Sequence, residues 1–150
     1  MAATELTLPT LVVVDTMIVV SGVIGRINGS DATVLHLIET GGLRLASSDA
    51  WLRELQEVLT RPVILERVGD PSRLVRAALT VGVMGALYRP PKFDWPSLSD
   101  PKDWWMLDLA FESGADAIIT RDNKVLKVAA KLGFQAITPP ELLCLLRFRA

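Results

Sequence analysis

A three-layer α/β/α fold with a central, mainly parallel sheet is the architecture that the sequence predicts. Short apolar segments typical of strands alternate along the chain with segments of helical periodicity, the pattern of a parallel sheet covered by helices. The first such segment, at 11–14, is apolar at every position, as expected for a strand buried on both faces. With 150 residues, 50% of them hydrophobic, the chain has the size and composition of one globular domain. We therefore predict a lead at 1–10 and a single domain at 11–150.

The elements of the first half follow from hydrophobic spacing and from residues that begin or end helices. Ser47, Ser48 and Asp49 are candidate N-caps for the helix that carries Trp51. Pro62 is expected to end that helix, and Asp70 begins the next one as its cap. The predicted elements are strands at 11–14 and 43–46, a helix in the apolar stretch that follows Asp15, and helices at 31–40, 51–59 and 70–87, with a loop at 25–30.

The second half repeats the alternation after a proline-rich loop at 89–99. Gly114 and Gly133 are expected to end helices, and Thr138 with Glu141 to open the last one. The predicted elements are helices at 101–113 and 124–132, strands at 117–120 and 134–137, and a helix from 138. Cys144 lies in an apolar helical stretch, so we expect a buried packing cysteine.

Charge and the N-terminal segment limit the classes of function. The net charge of -1 argues against a protein that coats nucleic acid through bulk electrostatics. Residues 1–10 have no basic region, and the apolar run that follows is interrupted at Asp15, too early for a signal or membrane segment. We expect a cytoplasmic protein with no membrane partner.

Two aspartates come directly after apolar strands. Asp15 follows LVVV, and Asp122 follows AIIT with one residue between them. Ligands of open parallel sheets bind at the carboxyl ends of the strands, so both side chains are candidates for a functional site. Each has an alternative role as a helix N-cap, and for the second cap Asn123 is an equal candidate.

Two further acids are candidates through their helices. Asp103 stands near a predicted helix start, where the helix dipole favours an acid, so a capping role explains it equally well on its own. The choice between Glu54 and Glu57 rests on helical phase. At about 100° per residue, Glu54 flanks the apolar stripe of its helix, whereas Glu57 lies nearly opposite and should face solvent.

Four carboxylates in one cleft would repel one another unless a cation neutralised them. Oxygen ligands without a cluster of histidine or cysteine fit Mg²⁺ or Mn²⁺ and disfavour zinc. The sequence thus predicts an acidic metal site formed by Asp15, Glu54, Asp103 and Asp122.

Four segments of the chain form a family pattern, namely VVVDTMIVVSGVIG, SSDAWLRELQEVLTRP, SDPKDWWMLDLAFESGADAIITRDNKVL and ITPPELL. In order and spacing they resemble the PIN domains of the prokaryotic toxin-antitoxin ribonuclease group, over nearly all of 11–146. The resemblance implies a PIN-like fold, with the same four acids as catalytic and metal-binding residues. It also implies that Thr16, Ser21, Thr120 and Asn123 support the metal or its waters.

The function that the resemblance implies is endoribonuclease activity, in which water activated by Mg²⁺ or Mn²⁺ hydrolyses RNA phosphodiester bonds. Trp95, Trp104 and Arg121 are candidates for holding single-stranded RNA by stacking or phosphate contact, or else are packing residues. The implied protein partners are a small antitoxin and, as in many relatives, a second copy of the chain.

The resemblance departs from the family pattern at Met17, where such proteins usually have asparagine. The alternative function is therefore a degenerate PIN module that binds RNA or a partner protein without cleavage. Phosphatases of the haloacid type need a second aspartate two residues after the first, and Met17 occupies that position. Receiver domains need an acidic pair at the first strand, which this chain lacks.

Overall fold

The computed structural model describes residues 10–25, 29–95 and 104–147 and confirms the predicted α/β architecture. Its sheet has five strands, all parallel, in the order β3-β2-β1-β4-β5. The strands are β1 (Leu11–Val14), β2 (Arg44–Ser48), β3 (Gly85–Tyr88), β4 (Ala117–Ile119) and β5 (Ala136–Ile137).

Eight helices accompany this sheet within the described ranges. They are α1 (Thr16–Ile24), α2 (Ser30–Glu39), α3 (Asp49–Leu59), α4 (Pro62–Val68), α5 (Pro71–Met84), α6 (Trp104–Ser113), α7 (Asn123–Lys131) and α8 (Pro139–Arg147). None of the described helices has both the length and the apolar character needed to cross a membrane.

The order of the strands reverses at β1, which lies at the centre of the sheet. The chain builds β2 and β3 on one side of β1 and then returns to its other side for β4 and β5. Such a reversal separates the loops that follow the two central strands and leaves a crevice at their carboxyl ends. Asp15 directly follows β1, and Asp122 lies in the turn after β4.

Three of the four residues of the central strand β1 are completely buried. Val12, Val13 and Val14 have no exposed surface, in agreement with the unbroken apolar run. Trp51 of α3 is the bulkiest of the fully buried side chains and packs in the same core. Because these contacts anchor both β1 and α3, the acidic residues that follow or face them stand on rigid elements.

The largest differences from the sequence prediction concern two parts of the chain; the strand predicted at 134–137 is also shorter, at Ala136–Ile137. The helix expected to continue to 87 ends at Met84, and 85–88 form the edge strand β3 paired with β2. Pro62 does follow the end of α3 at Leu59, but it also opens the unpredicted helix α4 as its first residue. A proline suits that position because the first helical N–H has no partner within the helix.

The predicted burial of Cys144 is wrong. Its side chain is exposed on α8, whose buried positions include Leu142. The second predicted strand, placed at 43–46, extends instead from Arg44 to Ser48. The predicted start of α6 at 101 lies outside the described residues.

Candidate functional site

Asp15 is fixed at the end of β1 by hydrogen bonds of its backbone N–H and of both oxygens of its carboxylate. Its backbone N–H donates to the Ile119 carbonyl at 2.9 Å, which continues the pairing of β1 with β4. Its Oδ1 accepts from the Met17 N–H at 3.1 Å, so Asp15 caps α1. Its Oδ2 accepts from the Thr120 hydroxyl at 2.8 Å. Both oxygens of the carboxylate are therefore held in place.

Thr120 joins the two aspartates of the sheet edge. Its side chain has no exposed surface. While its hydroxyl donates to Asp15, its Oγ1 accepts from the Asp122 backbone N–H at 3.1 Å. The Asp122 carboxylate in turn caps α7, because Oδ1 accepts from the Lys124 N–H at 2.9 Å. One buried hydroxyl thus sets the relative positions of the loops after β1 and β4.

Glu54 is positioned by the buried side of α3. Ser48 begins this helix as its N-cap and accepts a hydrogen bond from the Trp51 N–H at 3.2 Å. The Trp51 indole Nε1–H donates to the Val14 carbonyl at 2.6 Å. Because Val14 precedes Asp15, this contact ties the helix that carries Glu54 directly to the strand that carries Asp15.

Asp15, Glu54 and Asp122 line one cavity of about 760 Å³ at the carboxyl edge of the sheet. Three of the four predicted acids thus meet in one cleft, and the fourth, Asp103, lies outside the described residues. Within the described ranges, no three acids, histidines or cysteines are close enough together to hold a metal ion. The described geometry therefore places the three acids around a shared space without a closed ligand shell.

The choice of Glu54 over Glu57 agrees with the exposure of the two side chains. Glu54 is half-buried, and Glu57 is exposed and pairs with Arg61 at 3.0 Å. Glu57 nevertheless lines the same cavity, although its helical phase predicted that it would face solvent. Its ion pair with Arg61 places a neutralised carboxylate at the rim of the cleft.

The residues predicted to support the site occupy different surroundings. Thr16 is buried in the first turn of α1, Ser21 is half-buried and Asn123 is exposed. Ser21 lines a second, smaller cavity of about 330 Å³ that also contains Asp15 and Asp122. Met17 lines both cavities and is 48% exposed, so the position of the usual asparagine faces the cleft.

The three residues predicted to hold RNA also differ in their surroundings. Arg121 lines the smaller cavity but pairs with the buried Asp31 at 2.6 Å, which holds its guanidinium against α2. Trp95 is a packing residue. Its Nε1–H donates to Asp108 Oδ1 at 2.7 Å, and its ring contacts Phe111 and Phe134. The side chain of Trp104 lies outside what the structure describes.

Arg53 and Trp105 also line the acidic cleft and were not predicted as site residues. The position of Arg53 could have been predicted from the spacing of residues along α3. Ala50, Arg53, Glu54 and Glu57 recur at intervals of three and four, which places them on one face of the helix. Trp105 had no comparable signal, because it stands beside Trp104 in an apolar helix.

The donor set of the cleft fits a hard divalent cation. Asp15, Glu54 and Asp122 supply only carboxylate oxygens, and neither described ion pair neutralises any of the three. Mg²⁺ usually keeps several waters and binds proteins through one or two carboxylates, so a closed shell of protein ligands is not required.

One of the comparisons with known proteins identifies a family. No curated protein matches the sequence. The family model described as PIN domain matches residues 11–124, from β1 to the start of α7. PIN domains are generally nucleases, act on nucleic acids and use divalent metals. The matched range contains Asp15, Glu54, Asp103 and Asp122, and it covers more than half of the chain. The chain therefore belongs to the PIN domain family.

Proposed function

We propose that the protein is a metal-dependent endoribonuclease that hydrolyses RNA phosphodiester bonds, and that it is the toxin of a toxin-antitoxin pair. The observation that supports this most directly is the Thr120 hydroxyl, which links Asp15 to Asp122 at the reversal of strand order. A second acid-bearing element, α3, is tied to the same strand end through Trp51.

In this proposal Asp15 and Asp122 hold Mg²⁺ or Mn²⁺, and Asp103 is a further ligand. When bound, the cation would lower the pKa of a coordinated water and neutralise charge on the phosphate in the transition state. Glu54 acts as a ligand or accepts the proton of the attacking water. Attack of water at phosphorus breaks the bond to the leaving 3′-oxygen, which takes up a proton, and the products carry a 5′-phosphate and a 3′-hydroxyl.

A second candidate function is RNA or protein binding without cleavage. It is favoured by Met17, whose exposed thioether faces the cleft where such proteins usually present an amide. A thioether is a weak acceptor and cannot donate a hydrogen bond, so it cannot replace an amide that orients a metal-bound water.

The cleavage experiment compares the wild-type chain with Asp15→Asn and Glu54→Gln on single-stranded RNA, with Mg²⁺, Mn²⁺ or EDTA. We expect metal-dependent cleavage that each variant reduces more than about 100-fold, beyond the effect usual for an outer-shell partner. Glu66→Gln, an exposed acid of α4 away from the cleft, is the matched control and should cleave normally. Cleavage by Asp15→Asn and Glu54→Gln equal to that of the wild type would show that these two acids do not carry the activity. Binding without cleavage in every metal would establish the second candidate instead.

The toxin role has a separate test in cells. Expression of the wild-type chain should arrest bacterial growth, Asp15→Asn should not, and co-expression of a small protein encoded beside the gene should restore growth. Normal growth on expression of an active nuclease would exclude the toxin role and leave the nuclease proposal intact. We further expect a homodimer in the cytoplasm, which gel filtration and fractionation would examine.

A further inference from the structure

We propose that a basic cavity beside the acidic cleft binds a nucleotide that flanks the cleaved bond of single-stranded RNA. This inference rests on the proposed function and assigns a position to the substrate strand. The cavity, called here the flanking cavity, has a volume of about 340 Å³ and lies between the start of α3, the end of β3 and α6. It shares Ala50, Arg53 and Trp105 with the acidic cleft. The two cavities are therefore contiguous, with Arg53 and Trp105 between them.

The charge of the flanking cavity is opposite to that of the cleft. Arg53, Arg89 and Lys92 line it, and all three side chains are exposed. Neither of the ion pairs in the described ranges involves any of them. The Arg53 Nε–H donates to the Asp49 carbonyl at 3.3 Å, so this side chain lies back along the first turn of α3, toward the flanking cavity. The three cations are thus placed to receive phosphate.

Two carboxylates also line the flanking cavity and must be accounted for. Asp108 is 8% exposed, and its Oδ1 accepts from the Phe93 N–H at 3.1 Å and the Trp95 Nε1–H at 2.7 Å. Its carboxylate is therefore occupied in holding the segment after β3 against α6. Asp49 is exposed in the first turn of α3. Among the described lining residues, three cations outnumber two acids, so this part of the cavity surface is positive.

The walls of the flanking cavity include two half-buried aromatic residues, Tyr88 at the end of β3 and Trp105 of α6. Bases of a single strand can splay out and stack on such rings, which duplex bases cannot do. The combination of stacking surface and phosphate-binding cations is typical of sites that hold single strands without reading sequence. A strand that places one phosphate in the acidic cleft would therefore continue past Arg53 into the flanking cavity.

The test measures the salt dependence of RNA binding, in the Asp15→Asn background so that the RNA stays intact. A fluorescent oligouridine of about twelve nucleotides is titrated at several salt concentrations and followed by anisotropy. The paired variant Arg89→Ala with Lys92→Ala should lower the slope of log affinity against log salt by about 1.4, since each single-strand phosphate contact contributes about 0.7. Arg44→Ala with Lys131→Ala is the matched control. It removes the same two charges, from exposed positions at the start of β2 and the end of α7.

Substitution of Trp105 tests the stacking part of the proposal. Trp105→Leu should weaken binding about fivefold or more, whereas Trp105→Phe should retain most of it, because a phenyl ring still stacks. Thermal melting of each variant verifies that its fold is retained before binding is compared.

Equal slopes for the two paired variants, or no binding of RNA at all, would overturn the flanking site. The wild-type cleavage assay separates this result from failure of the proposed function. Active cleavage with an unchanged slope in Arg89→Ala with Lys92→Ala removes the flanking site and keeps the nuclease. A reduced slope without any cleavage keeps the site and removes the nuclease.

Discussion

Replacement of Thr120 by valine is the sharpest test of how the site is built. Valine keeps the shape of the side chain but removes the hydroxyl, which donates to Asp15 and accepts from the Asp122 N–H. A hydrogen bond to a charged group contributes about 1.5–3 kcal/mol when buried, and a neutral one about 1 kcal/mol. Because Asp15 is only half-buried, the lower value applies to it. We expect Thr120→Val to reduce the free energy of unfolding by about 2–3 kcal/mol.

The effect on metal binding is expected to be as large as the effect on stability. Without the hydroxyl, Asp15 loses the contact that fixes Oδ2, and the Asp122 backbone N–H loses its acceptor. Loss of such an outer-shell partner weakens metal binding by about 10–100-fold, equivalent to about 1.4–2.7 kcal/mol. Urea unfolding measures the first quantity, and calorimetric titration with Mn²⁺ measures the second.

Thr120→Ser is the control for this prediction, because it keeps the hydroxyl and removes only a buried methyl group. It should cost about 1 kcal/mol of stability and leave Mn²⁺ affinity near that of the wild type. If Thr120→Val bound Mn²⁺ as tightly as Thr120→Ser, the hydroxyl would have no part in positioning the acids. A Thr120→Val variant as stable as the wild type would show that neither hydrogen bond of the hydroxyl contributes to stability.

Two further predictions concern the supports of the sheet edge. Trp51→Phe should lower the free energy of unfolding by about 2–3 kcal/mol in urea titrations. The substitution leaves the buried Val14 carbonyl without its indole donor and creates a cavity. Stability equal to that of the wild type would contradict this prediction. At the opposite edge, hydrogen bonds from the backbone N–H of Leu11 and from Thr10 hold the pKa of Asp116 below its ordinary value of 3.8, although partial burial opposes them. The Asp116 carboxylate therefore binds a proton less readily in the native state than in the unfolded chain. Its contribution to the free energy of unfolding is present above pH 3.8 and is lost as pH falls through the lower native pKa. Asp116→Asn should lower the free energy of unfolding by less than about 1 kcal/mol at neutral pH, because solvent screens the carboxylate. In urea titrations the difference from wild type should vanish in acid. A difference that does not change with pH would refute this role of Asp116.

The placement of Asp15 and Asp122 could be predicted because it depends on local sequence. Each aspartate follows an apolar β-branched run, and parallel strands necessarily bring their carboxyl ends to one edge. Glu54 could be placed beside the core by helical phase alone. The link through Thr120 could not be derived in this way, since it depends on the 2.8 Å approach of two loops that are 105 residues apart.

The edge strand β3 was mispredicted because its sequence, GALY, has no strand pattern of its own. Alanine and leucine favour a helix over a strand, and only the pairing with β2 from Leu45 to Ser48 makes this segment a strand. The same strand end supplies Tyr88 to the flanking cavity. Because β3 was not predicted, the flanking cavity beside it could not be predicted either.

The capping and metal-binding interpretations of Asp15 and Asp122 are compatible. An ionised carboxylate has about four lone-pair positions, of which capping uses one in Asp122 and capping with the Thr120 contact uses two in Asp15. The caps hold each carboxylate in one orientation before any cation arrives, and such preorganisation reduces the entropy lost on binding. Glu54 projects from the middle of α3 and caps no helix. Its carboxylate is therefore less constrained than the other two, which suits the proposed role of accepting a proton from water more than that of a fixed ligand.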